Sequence, residues 1–196
     1  MIKVLLKSIR EYKKDSILAP IFMIGEVAME VLIPFYMAKL INNGIQVQNI
    51  GYIMQMGLVL AILCIISLAS GMLSGKYASS AASGFSKNLR KDMYYNIQNF
   101  SFSNIDKFST SSIITRLTTD VTNVQNSYQM IIRVAVRSPV MLISAFFMSF
   151  YLNARLSTIF LVAIIFLGVS LYFIIKNAYP IFEKIFKVYD KLNNVV

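Results

Sequence analysis

Two carboxylates, Glu26 and Glu30, lie four residues apart inside an apolar run from Ile17 to Ile41. On a helix that spacing puts both acids on one face. A charge near the middle of a bilayer costs on the order of 2.5–3.5 kcal/mol on insertion scales, so such groups turn toward protein or a water-filled cavity. Pro34 removes the helix bond to the Glu30 carbonyl and adds a kink beside it. The pair therefore reads as a wall of a substrate cavity that attracts cationic or amphipathic molecules. The competing reading is structural: Ser, Asn or Lys on a neighbouring helix satisfies both acids, or they carry protons.

Other reactive chemistry is sparse. The chain has no His, which excludes imidazole metal ligation and His-based acid–base catalysis. Cys64 is the single cysteine, so no disulfide forms within the chain, and it is expected as a small buried residue. Gly71-Met-Leu-Ser-Gly75-Lys76 has too few residues between its glycines for a phosphate-binding loop and no Ser or Thr after the Lys. Ser67, Gly71, Gly75, Ser79 and Ser83 instead form a small-residue stripe, a signature of close helix packing. Arg133 and Arg137, with Pro139, fall at the edge of an apolar span and read as snorkelling cations.

The elements that must position these residues are membrane helices. Hydrophobic residues make up 57% of the chain, above the roughly 45–50% apolar share of globular proteins, and mean hydropathy is +0.63. Windows long enough to cross a bilayer, which takes about 20 apolar residues, run over 17–41, 53–75, 134–152 and 156–175. The expected fold is all-α and polytopic, with four long transmembrane helices and cytoplasmic helical extensions. Lys and Arg cluster before the first span, between the second and third, and after the fourth. The positive-inside rule then places both termini in the cytoplasm of a cell-membrane protein. It also accounts for the net charge of +10 and the pI near 9.7 without nucleic acid. Residues 1–15, with Ile2, Leu5, Leu6, Ile9 and Tyr12 on one face, are expected as an interfacial helix on the inner leaflet. The apolar run that follows is too long for a signal peptide.

The second span does not stop at the membrane. Phe85, Leu89, Met93, Ile97 and Phe100 keep helical spacing through 76–102, and Ser101 to Asn104 favour a break. A polar run follows from Asn104 to Asn126. Ser109 and Thr110 offer N-cap oxygens for a returning helix, on which Arg116 and Asp120 stand four apart. Residues 76–133 thus form a cytoplasmic helical hairpin with a short transverse turn near 105–108. Residues 176–196 begin a second cytoplasmic extension.

Asp106-Lys-Phe-Ser-Thr110 followed by Ile114-Thr-Arg116-Leu-Thr-Thr-Asp120-Val resembles the first intracellular loop of ATP-binding-cassette (ABC) exporters. Leu89-Arg90-Lys91 with Met93-Tyr94, Arg137-Ser-Pro139, Ala178-Tyr-Pro180 and Asp190-Lys-Leu-Asn193 resemble further pieces of the same subunits in the same order. One departure is Ser111, where that family commonly has Gly after the Thr. The resemblance implies the permease portion of an ATP-driven exporter of multidrug or lipid type. It implies that Ile105, Asp106, Lys107 and Phe108 form a coupling helix docked on a nucleotide-binding domain, in the same full-length chain or a separate one. Arg116 and Asp120 would brace the hairpin. ATP and Mg would belong to that domain, because this chain carries no P-loop, signature or Walker B motif and needs no cofactor itself. A second half-transporter, identical or related, would complete the assembly in the bilayer. Because the family's bundle has six spans, the chain is expected to be the first part of a transmembrane domain. The alternative is a small proton-coupled secondary transporter using Glu26 and Glu30. That reading leaves the long cytoplasmic hairpin without a purpose.

Overall fold

A computed structural model describes residue 5, residues 7–99 and residues 110–193; it falls into two compact units, residues 1–144 and 145–196. A tight turn of 3-10 helix over Lys7–Tyr12 leads into α1 (Lys13–Leu40), which stays helical through Pro20 and Pro34. A π-helical turn, Ile41–Ile45, extends it. The Asn49 side chain accepts the Tyr52 N–H at 3.1 Å, a cap that starts α2 (Ile50–Gln98). After residues 100–109, which lie outside the described residues, come α3 (Thr110–Thr115), a π-helical turn (Arg116–Asp120) and α4 (Val121–Leu152). Ala154–Asn193 forms α5, and no strand occurs among the described residues. Four of these helical segments are long and apolar enough to cross a membrane. At 1.5 Å per residue, the 49 residues of α2 reach about 74 Å, well past a bilayer of about 40–45 Å with its headgroups.

In the first unit α1 and α2 run antiparallel as an intimate pair. Ala19, Met23 and Val27 of α1 are buried, as are Ser74, Ala78, Ala81 and Ala82 of α2. Small side chains let the backbones approach, and Ser74 Oγ donates to the Ala19 carbonyl at 3.0 Å across the gap. Phe22 stacks on Tyr77 with ring centres 5.6 Å apart, and Ser80 donates to Asp15. The seam departs from the sequence-based stripe: Ser79 and Ser83 are exposed. Each i, i+4 step overshoots a 3.6-residue turn by about 40°, so the stripe has swung to the far side of the helix within four steps.

Below this seam the packing changes character. Phe85, Leu89 and Val121 form a buried apolar cluster, flanked by Leu5, Ile9, Met93, Val124 and Tyr128. Descending α2 and returning α4 are joined there. The Phe85 and Tyr128 rings lie 4.7 Å apart, and Tyr128 donates to Ser16 at 2.8 Å. Leu5 and Ile9 pack on this cluster, whereas the sequence suggested a leaflet-facing helix. The reason is polar as well as apolar. Ser8 Oγ donates to Asp92 at 2.9 Å, Asn88 donates to the Ser8 carbonyl at 3.0 Å, and Arg10 pairs with Asp92 at 2.7 Å. Arg10 holds φ at 41°, a conformation that costs a non-glycine residue energy and is kept because its neighbours fix it.

In the second unit, Ser149 and Ser157 share a hydrogen bond of 3.0 Å, and the Asn153 side chain accepts the Arg155 N–H at 3.0 Å to start α5. Along α5 large apolar side chains such as Ile159, Phe166 and Phe173 stand exposed, as lipid-facing residues do.

The Tyr12 ring occupies the place where a Gly84 side chain would be. Gly84→Ala should therefore expel Tyr12 and loosen the N-terminal segment. Overpacking of this kind costs about 1–3 kcal/mol, so limited trypsin cleavage after Arg10 should accelerate roughly tenfold. An unchanged cleavage rate would show that Tyr12 is not seated there.

Candidate functional site

The carboxylates of α1 do meet a partner, of a type the sequence reasoning did not consider. Arg137 of α4 donates through Nη2 to both oxygens of Glu30, at 2.7 and 2.9 Å, and through Nη1 to Glu26 Oε1 at 3.3 Å. Ser, Asn and Lys were the expected partners, and Arg137 was expected to snorkel. Arginine is better suited, because its planar fork can serve two acids at once and is weakly hydrated for a cation. The missed signal was depth. Arg137 lies one helical turn further into its span than Arg133, where a cation needs an anion more than it needs headgroups.

Helix α2 forms the floor of the site. A side-chain carbon on Gly71 would come within 3.1 Å of the Glu26 carboxylate, so glycine lets that group lie on the α2 backbone without being pushed aside. Glu26 is mostly enclosed, its side chain 13% exposed, and its Oε2 is buried with no hydrogen-bond partner. A groove of about 690 Å³ opens alongside, lined by Glu26, Glu30 and Arg133 with apolar Ile33, Leu68 and Met72. Arg133 reaches in at the level of Gly75, its Nη1 3.9 Å from where a Gly75 side chain would begin. Cys64 also lines the groove and is exposed, not buried as expected.

The site presents charge: its acids and arginines offer groups that can orient an ion or a polar headgroup. Among the described residues no group of three or more His, Cys, Asp or Glu gathers to hold a metal. On the returning arm, Arg116 and Asp120 are exposed at the two ends of the π-helical turn. Contact between the hairpin arms runs through the Phe85–Val121 cluster and through Arg90, which donates to Thr122 at 3.1 Å. Ile105, Asp106, Lys107 and Phe108 lie outside the described residues.

Comparison with known proteins converges on one family. A family profile described as "ABC transporter transmembrane region" matches residues 16–196. The uncharacterized ABC transporter ATP-binding protein YfiB of Bacillus subtilis is 35% identical over 191 residues, which is 97% of this chain and 33% of that protein. The uncharacterized ABC transporter ATP-binding protein Rv1273c of Mycobacterium tuberculosis is 24% identical over 196 residues, 100% of this chain and 34% of that protein. A putative export ATP-binding/permease protein of Rickettsia prowazekii, RP696, is 26% identical over 160 residues, 82% of this chain and 28% of the relative. The chain thus spans about a third of the length of these relatives, or a little less.

The charge cluster makes a signed prediction about stability. Arg137→Gln leaves two carboxylates without their cation. Breaking a buried pair costs about 3–5 kcal/mol, reduced here to about 2 because Arg137 is 39% exposed. Glu30→Gln should cost less, since Arg137 keeps Glu26. Adding Glu30→Gln to Arg137→Gln should restore part of the loss. Thermal unfolding in detergent, followed by circular dichroism, checks the order; a double variant no more stable than Arg137→Gln would refute it.

Proposed function

The chain belongs to the family of ABC transporter transmembrane regions, and from that premise we propose that it is the permease portion of an ATP-driven exporter. The observation that carries this reading furthest is α2. A single helix of 49 residues is longer than a bilayer is thick, and α4 packs back beside its polar half, which supports a lever projecting from the membrane. In the proposal, Ile105, Asp106, Lys107 and Phe108 form the coupling tip, and Phe108 is its apolar anchor on a nucleotide-binding domain. That domain, in the same polypeptide or a separate one, binds ATP with Mg and supplies the hydrolysis. Arg116 and Asp120 stiffen the returning arm, a contribution of a few tenths of a kcal/mol for an exposed pair. Glu26 and Glu30 belong to the wall of the substrate cavity. A second half-transporter completes that cavity, and both termini face the cytoplasm, where the basic residues gather.

A proton-coupled carrier built on Glu26 and Glu30 is not favoured. The family match points elsewhere, and Arg137 engages both carboxylates.

The test is made in the full-length protein reconstituted in liposomes. Removing an anchor side chain from an interface typically costs about 2 kcal/mol or more. Phe108→Ala should therefore leave basal ATP turnover in place while transport per ATP falls about tenfold or more. Unchanged stimulation of turnover by substrate would sink the coupling assignment.

A further inference from the structure

Three features of the groove are ordered along its length. Gly71 marks the level of the carboxylates and Gly75 the level of Arg133, four residues or about 6 Å further along α2 toward its basic end. In the other direction come Leu68 and Cys64 on α2, and Ile33 one turn beyond Glu30 on α1. The sequence of surfaces is apolar, then acidic, then basic.

Among the described residues neither charged level is balanced on its own. Two carboxylates face one guanidinium at Arg137, which leaves one negative charge over and Glu26 Oε2 without a donor. Among the described residues Arg133 has no carboxylate within ion-pair distance. A carboxylate pair this deep in a membrane protein is expensive unless something matches its charge.

We infer that the groove binds a zwitterionic amphiphile whose cation lies between its apolar tail and its anion. The tail lies on Ile33, Leu68 and Cys64, the cation completes the Glu26–Glu30 pair, and the anion meets Arg133. The order is selective. With the basic end of α2 cytoplasmic, an inner-leaflet phospholipid such as phosphatidylethanolamine presents its charges the other way round, with phosphate nearer the tail and ammonium outermost. Such a lipid would set its phosphate against the carboxylates. The inference rests on the reading of this face as the substrate cavity wall and adds the class of molecule it takes.

Cys64 provides the reporter, because it lines the groove and is the single cysteine of these 196 residues; any further cysteine of the full-length protein is replaced by Ser. The protein is placed in nanodiscs and its alkylation by N-ethylmaleimide is timed with probes held below their micelle-forming concentrations. Dodecyl sulfobetaine, ordered tail–cation–anion, should slow alkylation about tenfold more than dodecylphosphocholine, ordered tail–anion–cation, the worth of one charge-assisted hydrogen bond. Arg133→Gln should abolish that preference and Arg133→Lys should keep it, which separates charge recognition from misfolding. A second arm uses an N-acetylated Leu-Leu-Leu-Lys peptide with a free carboxylate. Protection by the peptide alone assigns the site to a peptide, and protection by the sulfobetaine assigns it to a lipid-like molecule.

Equal protection by the two detergents, or none by any probe, overturns the inference. So does protection that needs no probe and grows with the number of chains per disc, which would mean that a second copy covers the groove. No protection in a protein whose Phe108→Ala variant uncouples transport overturns the ligand assignment and leaves the exporter reading standing. Protection without such uncoupling does the reverse.

Discussion

Everything in the first unit hangs on how closely α1 and α2 can approach. Inside a bilayer no hydrophobic force draws helices together, so association depends on packing contacts and hydrogen bonds. Ser74, Ala78, Ala81 and Ala82 supply a flat seam, and the Ser74–Ala19 bond crosses it. That closeness then fixes features at both ends. Toward the membrane interior it lays Glu26 on the bare backbone at Gly71, where Arg137 can reach it. Toward the basic end it seats Tyr12 on Gly84 and lines up Ser8 and Arg10 with Asp92.

One helix, α2, serves two solvents, and its packing changes where the solvent does. Along its apolar half the contacts are small residues and a few paired polar groups. From Phe85 onward a cluster of large apolar side chains takes over. Burying such side chains is favourable when the alternative is water and nearly neutral when it is lipid. The switch in residue size along a single unbroken helix is what a passage from lipid to water requires. The same rule accounts for the N-terminal segment. Leu5 and Ile9 gain more against Phe85 and Leu89, with Ser8 bonded on both sides, than they would on a membrane surface.

Helix number, length and order were legible because hydropathy in a membrane protein is a strong, long-range signal. The continuation of α2 beyond its apolar stretch was legible too: Phe85, Leu89 and Met93 recur at helical spacing, and all three join the cluster. What could not be read was azimuth, the direction in which each residue points around its helix. Ser79 and Ser83 were misplaced for that reason, since a stripe drawn at four-residue steps drifts around a helix of 3.6 residues per turn. The charge cluster was half legible. Composition demanded a partner for Glu26 and Glu30, but only three-dimensional packing brings residue 137 to residue 30. The relation of Ile105–Phe108 to the rest lies outside the described residues, so the tip stands on resemblance alone.

These contacts differ in how readily they give way, which bears on how a lever built from them could move. The α1–α2 seam is continuous, buried and dry, and sliding it would break many small contacts at once. The Arg137 cluster is a few charge-assisted bonds beside an open groove, and a guanidinium can exchange one carboxylate for another with little change in backbone. In the proposed exporter, displacement of the hairpin tip would then carry α1 and α2 together as one body. The motion would be taken up where α4 meets them, at Arg137. A ligand that neutralises Glu26 and Glu30 would weaken that one tie and leave the seam intact. Occupancy of the groove and freedom of α4 are thereby linked through the same two carboxylates.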